Sequence, residues 1–179
     1  TGTVLTTSEN IPTNEELQAI LPRFRGKILQ TPPMYSALKV DGRKLVDLAR
    51  EGITVERKSR NVTIHSIKTE QISERVYKLC VSCTKGTYIR TLCADIGRNL
   101  GCGGVMAALC RTEAAGYKLE ETHTLAEIET MSLQERRALV RPTEEIFSDA
   151  PALTLPAFYA RLARNGLPIY LRKIGRNDS

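Results

Sequence analysis

The most chemically suggestive residues form one run, Lys85-Gly86-Thr87-Tyr88-Ile89-Arg90. An alternating, strand-like stretch precedes it. Behind it, Ile89, Leu92, Cys93, Ile96 and Leu100 recur on one face of a helix. Gly86 lets the backbone turn sharply. Thr87 is the expected cap of that helix, whose free N–H groups favour anions. Tyr88 and Arg90 follow in the first turn. A tyrosine ring there can stack on a base, and a guanidinium can pair bidentately with a carboxylate or phosphate. A capped helix with one snorkelling arginine writes the same local pattern, so the run alone does not decide a function.

Other reactive residue types offer less. The five cysteines, at 80, 83, 93, 102 and 110, are odd in number, which argues against a disulfide framework. Cys80 and Cys83 mimic a C-x-x-C pair, but positions three apart on a strand point to opposite faces. Zinc is therefore not expected, and no metal or cofactor is. Cys93 falls on the apolar face of the helix as core filler. His65 and His123 have no nearby nucleophile or ligand partner and read as structural or exposed.

Those residues must be positioned by elements whose pattern is clear. Thr13-Asn14-Glu15-Glu16 is a capping box, so a helix should start there and end near Gly26, with Pro22 disturbing its last turn. Pro32-Pro33 forces an extended, irregular segment. Val40-Asp41-Gly42-Arg43 is a hairpin turn, and Lys44 to Glu51 a short helix closed by Gly52. Residues 60–72 and 75–84 should form an antiparallel hairpin. Thr124 with Glu127 marks a second capping box. The run LPAFYARLARNGLPIYL reads as a helix followed by the first strand of a further unit.

The chain has 179 residues and a net charge of +6. That size buries roughly 70% of the unfolded surface, enough to fold without metal or disulfides. Apolar residues make up 41% and charged residues 26%, which excludes a disordered tail and a collagen-like chain. No window approaches the ~20 apolar residues of a spanning helix, and the first ten residues show no signal pattern. The expectation is a cytoplasmic protein off the membrane. Residues 23–90 hold fifteen bases and six acids, more than the whole excess. Clustered Lys and Arg attract phosphates and release counterions from nucleic acid.

Read together, the ordered motifs carry a resemblance. Phe24-Arg25-Gly26-Lys27-Ile28 is followed by Gln30-Thr31-Pro32-Pro33-Met34-Tyr35-Ser36-Ala37-Leu38-Lys39, then by Gly42-Arg43-Lys44-Leu45 and Ala49-Arg50-Glu51-Gly52. Next come Cys83 to Leu92, Asp95-Ile96-Gly97 with Leu100-Gly101, and Leu109-Cys110-Arg111-Thr112 with Gly116. This closely resembles the TruB family of tRNA pseudouridine synthases over roughly residues 1–130. The resemblance implies an α+β chain, part of the pseudouridine synthase fold, with a mixed, mainly antiparallel sheet flanked by helices. It implies isomerisation of uridine 55 in the tRNA T loop without cofactor or metal, the nucleotide being flipped out of its loop. Tyr88 would lie against the flipped base and help move the C5 proton. Arg90 would pair with the nucleophilic aspartate and keep it ionised. Leu109 would wall the base pocket. Tyr35, Ser36, Lys39, Arg43, Lys85 and Arg111 would face the RNA.

The family's aspartate sits in a motif of the form G-x-L-D-P-x-A-x-G, and no such string occurs here. Gly104 stands where the family usually has His, and Cys110 where it usually has Arg. Residues 1–148 are expected to be the second half of the catalytic domain, and 149–179 the opening of a C-terminal RNA-binding extension. Asp95 is five residues after Arg90, about 140° around a helix, and so is not the missing nucleophile. The chain alone is therefore expected to be inactive on the tRNA T arm. Its cut sheet is expected to expose edges that favour self-association. The competing reading is a catalytically dead basic RNA-binding module.

Overall fold

The structure is a computed structural model that describes residue 4 and residues 6–175. The chain forms two compact units, Thr1–Arg111 and Thr112–Ser179.

In the first unit, Thr13 caps helix α1 (Asn14–Ile20) in the expected capping box, its hydroxyl accepting from the Glu16 N–H. The helix stops at Ile20, before Pro22, and tightens into a 3-10 turn over Leu21–Phe24. Proline lacks the N–H that would continue the helical ladder, so the expected run to Gly26 is shortened. Strand β1 (Gly26–Gln30) follows, then the irregular proline segment. Strands β2 (Lys39–Val40) and β3 (Arg43–Lys44) pair around Asp41-Gly42, at φ 50° and 81°. Two left-handed central residues are what a type I′ hairpin turn requires. Helix α2 (Leu45–Arg50) then packs Leu45 and Leu48 inward.

Strands β4 (Arg60–Ser73) and β5 (Val76–Cys83) make the expected hairpin, and β1 joins the other edge of β4. All pairings in this β1-β4-β5 sheet are antiparallel. On β5, Tyr77, Leu79, Val81 and Cys83 alternate inward, so Cys80 and Cys83 fall on opposite faces as the strand period demands. On β4 the inward set changes parity, from Val62 and Ile64 to Ile67, at an irregularity between Ile64 and Ser66. Helix α3 (Ile89–Asn99) lays Leu92 and Ile96 on this sheet beside Leu17, Leu21 and Phe24, closing one core. Burial beside that core pushes the Cys93 thiol above its ordinary pKa.

The second unit is built of short pieces. Strands β6 (Glu113–Ala114) and β7 (Tyr117–Lys118) form a small hairpin around Ala115-Gly116. Helix α4 (Leu125–Thr130) carries the expected Thr124–Glu127 box. Helix α5 (Leu133–Ala138), absent from the sequence reading, carries the same box between Ser132 and Glu135. Helix α6 (Ala157–Arg164) is as expected. The expected strand after it does not form: Leu171–Ile174 is a 3-10 turn. A strand needs a ladder partner, and none pairs there among the described residues. The last four residues of the expected extension, 176–179, lie outside the described set.

Candidate active site

The site grows from the junction between β5 and α3. Thr84 ends the strand by donating its N–H to the Thr63 carbonyl at 2.9 Å, while its Oγ accepts from the Thr63 N–H at 3.0 Å. Gly86 turns the chain at φ 82°. Thr87, expected to cap α3, instead donates its hydroxyl back to the Thr84 carbonyl at 2.8 Å. The N-cap is Tyr88, extended at φ −97° and ψ 102°, with no capping bond from its own side chain.

A distant residue holds the N-cap itself. Gln30, at the end of β1, is 2% exposed. Its Oε1 accepts from the Tyr88 N–H at 2.7 Å, and its Nε2 donates to the Tyr88 carbonyl at 3.1 Å. That carbonyl also accepts from the Leu92 N–H at 3.0 Å, the first rung of the helix. The amide orientation is forced, because a backbone N–H only donates and a carbonyl only accepts. In the sequence Gln30 stands in the run Gln30-Thr31-Pro32-Pro33, with nothing local to mark its task.

Arg90 is exposed in the first turn of α3. Its Nη1 lies 3.4 Å from the Tyr35 carbonyl, which ties the proline segment to the helix start. Among the described residues no carboxylate pairs with Arg90. Asp95, on the same helix, is taken by Arg98 at 2.7 Å. Asp47 pairs with Arg50 at 3.7 Å. An open cleft of about 700 Å³ runs beside Arg90, lined also by Leu29, Thr31, Pro33, Arg57 and Asp95. Arg57 holds the Pro32 carbonyl through Nη1 at 3.2 Å. A smaller cleft of about 390 Å³ in the second unit, with Tyr117, Arg141 and Glu145 on its walls, contains none of the expected residues.

The remaining expected residues are scattered in character. Tyr35 is 57% exposed, and Lys39, Lys85 and Arg111 are exposed. Arg43 is engaged with Glu51, whose hydrogen bond and then charge raise the Arg43 pKa. Ser36, expected at the RNA surface, is buried, and its hydroxyl meets no partner among the described residues. Its backbone N–H and carbonyl instead join the Met34 carbonyl and the Val46 N–H, so its task here is to shape the segment. Leu109 is 59% exposed, in an irregular stretch after α3, and lines neither cleft. That stretch begins tight against the helix. A Cβ on Gly104 would lie 2.4 Å from the Cys93 carbonyl oxygen, so the backbone there has no room for a side chain.

The architecture matches a solved structure, "Crystal Structure of a Cbf5-Nop10-Gar1 Complex", with TM-score 0.59 and 25% identity, over 78% of this chain and 40% of that one. The fold is α+β, part of the pseudouridine synthase fold. The family model described as TruB family pseudouridylate synthase (N terminal domain) matches residues 1–89. The model described as tRNA pseudouridylate synthase B C-terminal domain matches residues 90–148. The tRNA pseudouridine synthase B of Francisella tularensis subsp. novicida is 44% identical over 156 residues, 86% of this chain and 52% of the relative. That of Methylobacillus flagellatus is also 44% identical, over 87% of this chain and 52% of the relative. The chain belongs to the TruB family. It spans about half the length of the curated relatives it matches.

Proposed function

We propose that the protein represented by this chain isomerises uridine 55 in the tRNA T loop to pseudouridine, using a nucleophilic aspartate that is not in these 179 residues. The observation that carries the reading is Arg90: a guanidinium at the start of α3, beside an open cleft, with no carboxylate partner among the described residues. An incoming aspartate would supply one, and the forked pair would hold it ionised and oriented. Tyr88 would meet the flipped base and help move the C5 proton, and Leu109 would wall the pocket. Lys39, Lys85 and Arg111, exposed in the first unit, would take T-arm phosphates, with Tyr35 beside them. The reaction is a rearrangement within one nucleotide and needs no redox cofactor. The chain alone would bind RNA without turning it over. The place of work would be the cytoplasm, where tRNA is matured.

The test compares two proteins on a T-arm stem-loop whose target uridine carries tritium at C5. The full-length protein should release tritium at that position, and the 179-residue chain should release none. Release by the short chain would refute the claim that it lacks a nucleophile. RNA binding by the full-length protein without release would favour the dead binding module. The outer edges of β1 and β5 are unpaired among the described residues, so the short chain should also elute as more than a monomer in a sizing run.

A further inference from the structure

We infer that Gln30 is a positioning residue: its buried carboxamide fixes the backbone of Tyr88 on both sides of its Cα and with it the first turn of α3. The inference deepens the proposed function and rests on it wherever turnover is the readout. Three observations carry it. Gln30 is among the most buried side chains in the chain, although polar and flanked by a proline segment. Both of its hydrogen-bonding ends go to one residue, the Tyr88 N–H at 2.7 Å and the Tyr88 carbonyl at 3.1 Å. The helix it meets has no side-chain cap of its own.

The pairing copies one rung of a sheet ladder, with a carboxamide standing in for a neighbouring strand. A residue held through both its N–H and its carbonyl, which belong to the peptide units on either side of its Cα, loses the freedom to rotate about φ and ψ at the N-cap. Those are the torsions that decide where the Tyr88 ring and, two residues on, the Arg90 guanidinium point. Gln30 also follows Leu29 on β1, and β1 is held in register by β4, with Gln30 opposite Arg60. The sheet therefore sets the helix start through one side chain, and Tyr88 and Arg90 inherit the sheet's rigidity. In a reaction that depends on aim, a misplacement of about 1 Å can cost about a hundredfold in rate.

The experiment uses the full-length protein with Gln30→Met, which keeps length and loses both bonds, and Gln30→Glu, which keeps the acceptor and loses the donor. Gln30→Met should lower kcat by roughly ten- to a hundredfold while KM for a T-arm RNA moves by less than about threefold. Amide exchange in the segment 85–91 should rise about tenfold or more, with β4 and β5 unchanged. Gln30→Glu turns an oxygen onto the Tyr88 carbonyl while ionised and regains the donor only when protonated. Its exchange at 85–91, relative to the parent at the same pH, should therefore move from the Gln30→Met level toward the parent as pH is lowered, and it carries the reading if Gln30→Met does not fold. Unchanged kcat and unchanged exchange in a folded variant would overturn the inference. So would equal losses in kcat and RNA affinity. If the parent protein shows no turnover, the proposed function fails, and exchange at residues 85–91 alone then decides the role of Gln30.

Discussion

Gly97 on α3 lies so close to the backbone of Gly103 that a Cβ added at Gly97 would sit 2.1 Å from the Gly103 carbonyl carbon. The Gly103 N–H also donates to the Gly97 carbonyl at 3.0 Å. The chain that leaves α3 thus folds back across the helix on a seam of glycines, with the Cys102 thiol reaching the Gly97 carbonyl at 3.7 Å. In an exposed helix, Gly→Ala would stabilise by about 1 kcal/mol. Here overpacking against backbone reverses the sign. Gly97→Ala should destabilise the first unit by about 1–3 kcal/mol, seen as a lower midpoint in urea. A variant as stable as the parent would mean that residues 102–104 lift away at no cost.

Arg90→Lys in the full-length protein retains charge and loses the fork that a carboxylate needs. Turnover should fall by about a hundredfold, while RNA affinity, read by filter binding, changes little. Equal losses in both would assign Arg90 to a phosphate instead.

Tyr88→Phe isolates the hydroxyl, because the structural work of Tyr88 runs through its backbone and not its ring. The variant should melt at the temperature of the parent and bind RNA as well, yet turn over more slowly. Unchanged turnover would remove the hydroxyl from proton handling and leave the ring only a stacking role.

In the second unit, Glu127 and Glu135 have pKa values below their ordinary 4.5. For Glu127 the first cause is the backbone N–H of Thr124, then its side chain; for Glu135 it is the side chain of Ser132, then its N–H. A carboxylate depressed by folding contributes stability above its unfolded pKa and loses it as pH falls through its folded one. The caps of α4 and α5 should therefore persist down to pH 4.5 and open below it. The amide proton shifts of Thr124 and Ser132 should titrate with midpoints under 4.5, and Glu127→Gln should abolish the Thr124 titration alone. Midpoints at or above 4.5 would contradict the capping geometry.

The legible parts of this fold were those written in neighbouring residues. The Thr13–Glu16 and Thr124–Glu127 boxes, the Asp41-Gly42 turn and the β4–β5 alternation each need only a few adjacent positions. The same grammar stands in Ser132–Glu135, but that box opens two residues after α4 ends, too close to read as a separate start. The β6–β7 hairpin is two residues a side, too short to show a period. Thr87 was the natural cap by residue type, yet the N-cap is Tyr88, held by Gln30 from 58 residues earlier. Nothing local marks a glutamine before two prolines as buried. Of the site, the motif residues Tyr88 and Arg90 were visible in the sequence. What holds them in place was not, since that is a contact between distant segments.

The parity change on β4 rests on one surplus residue. His65 sits at the irregularity and is exposed. Between the pairs Ile64–Cys83 and Ser66–Ser82, β4 takes two steps where β5 takes one. With that position deleted, the strand would alternate without a break, and Val62, Ile64 and Ile67 would all keep their inward places. A codon deletion at position 65 would spare the core, while one at Thr63, two residues away, would turn Val62 or Ile64 to solvent.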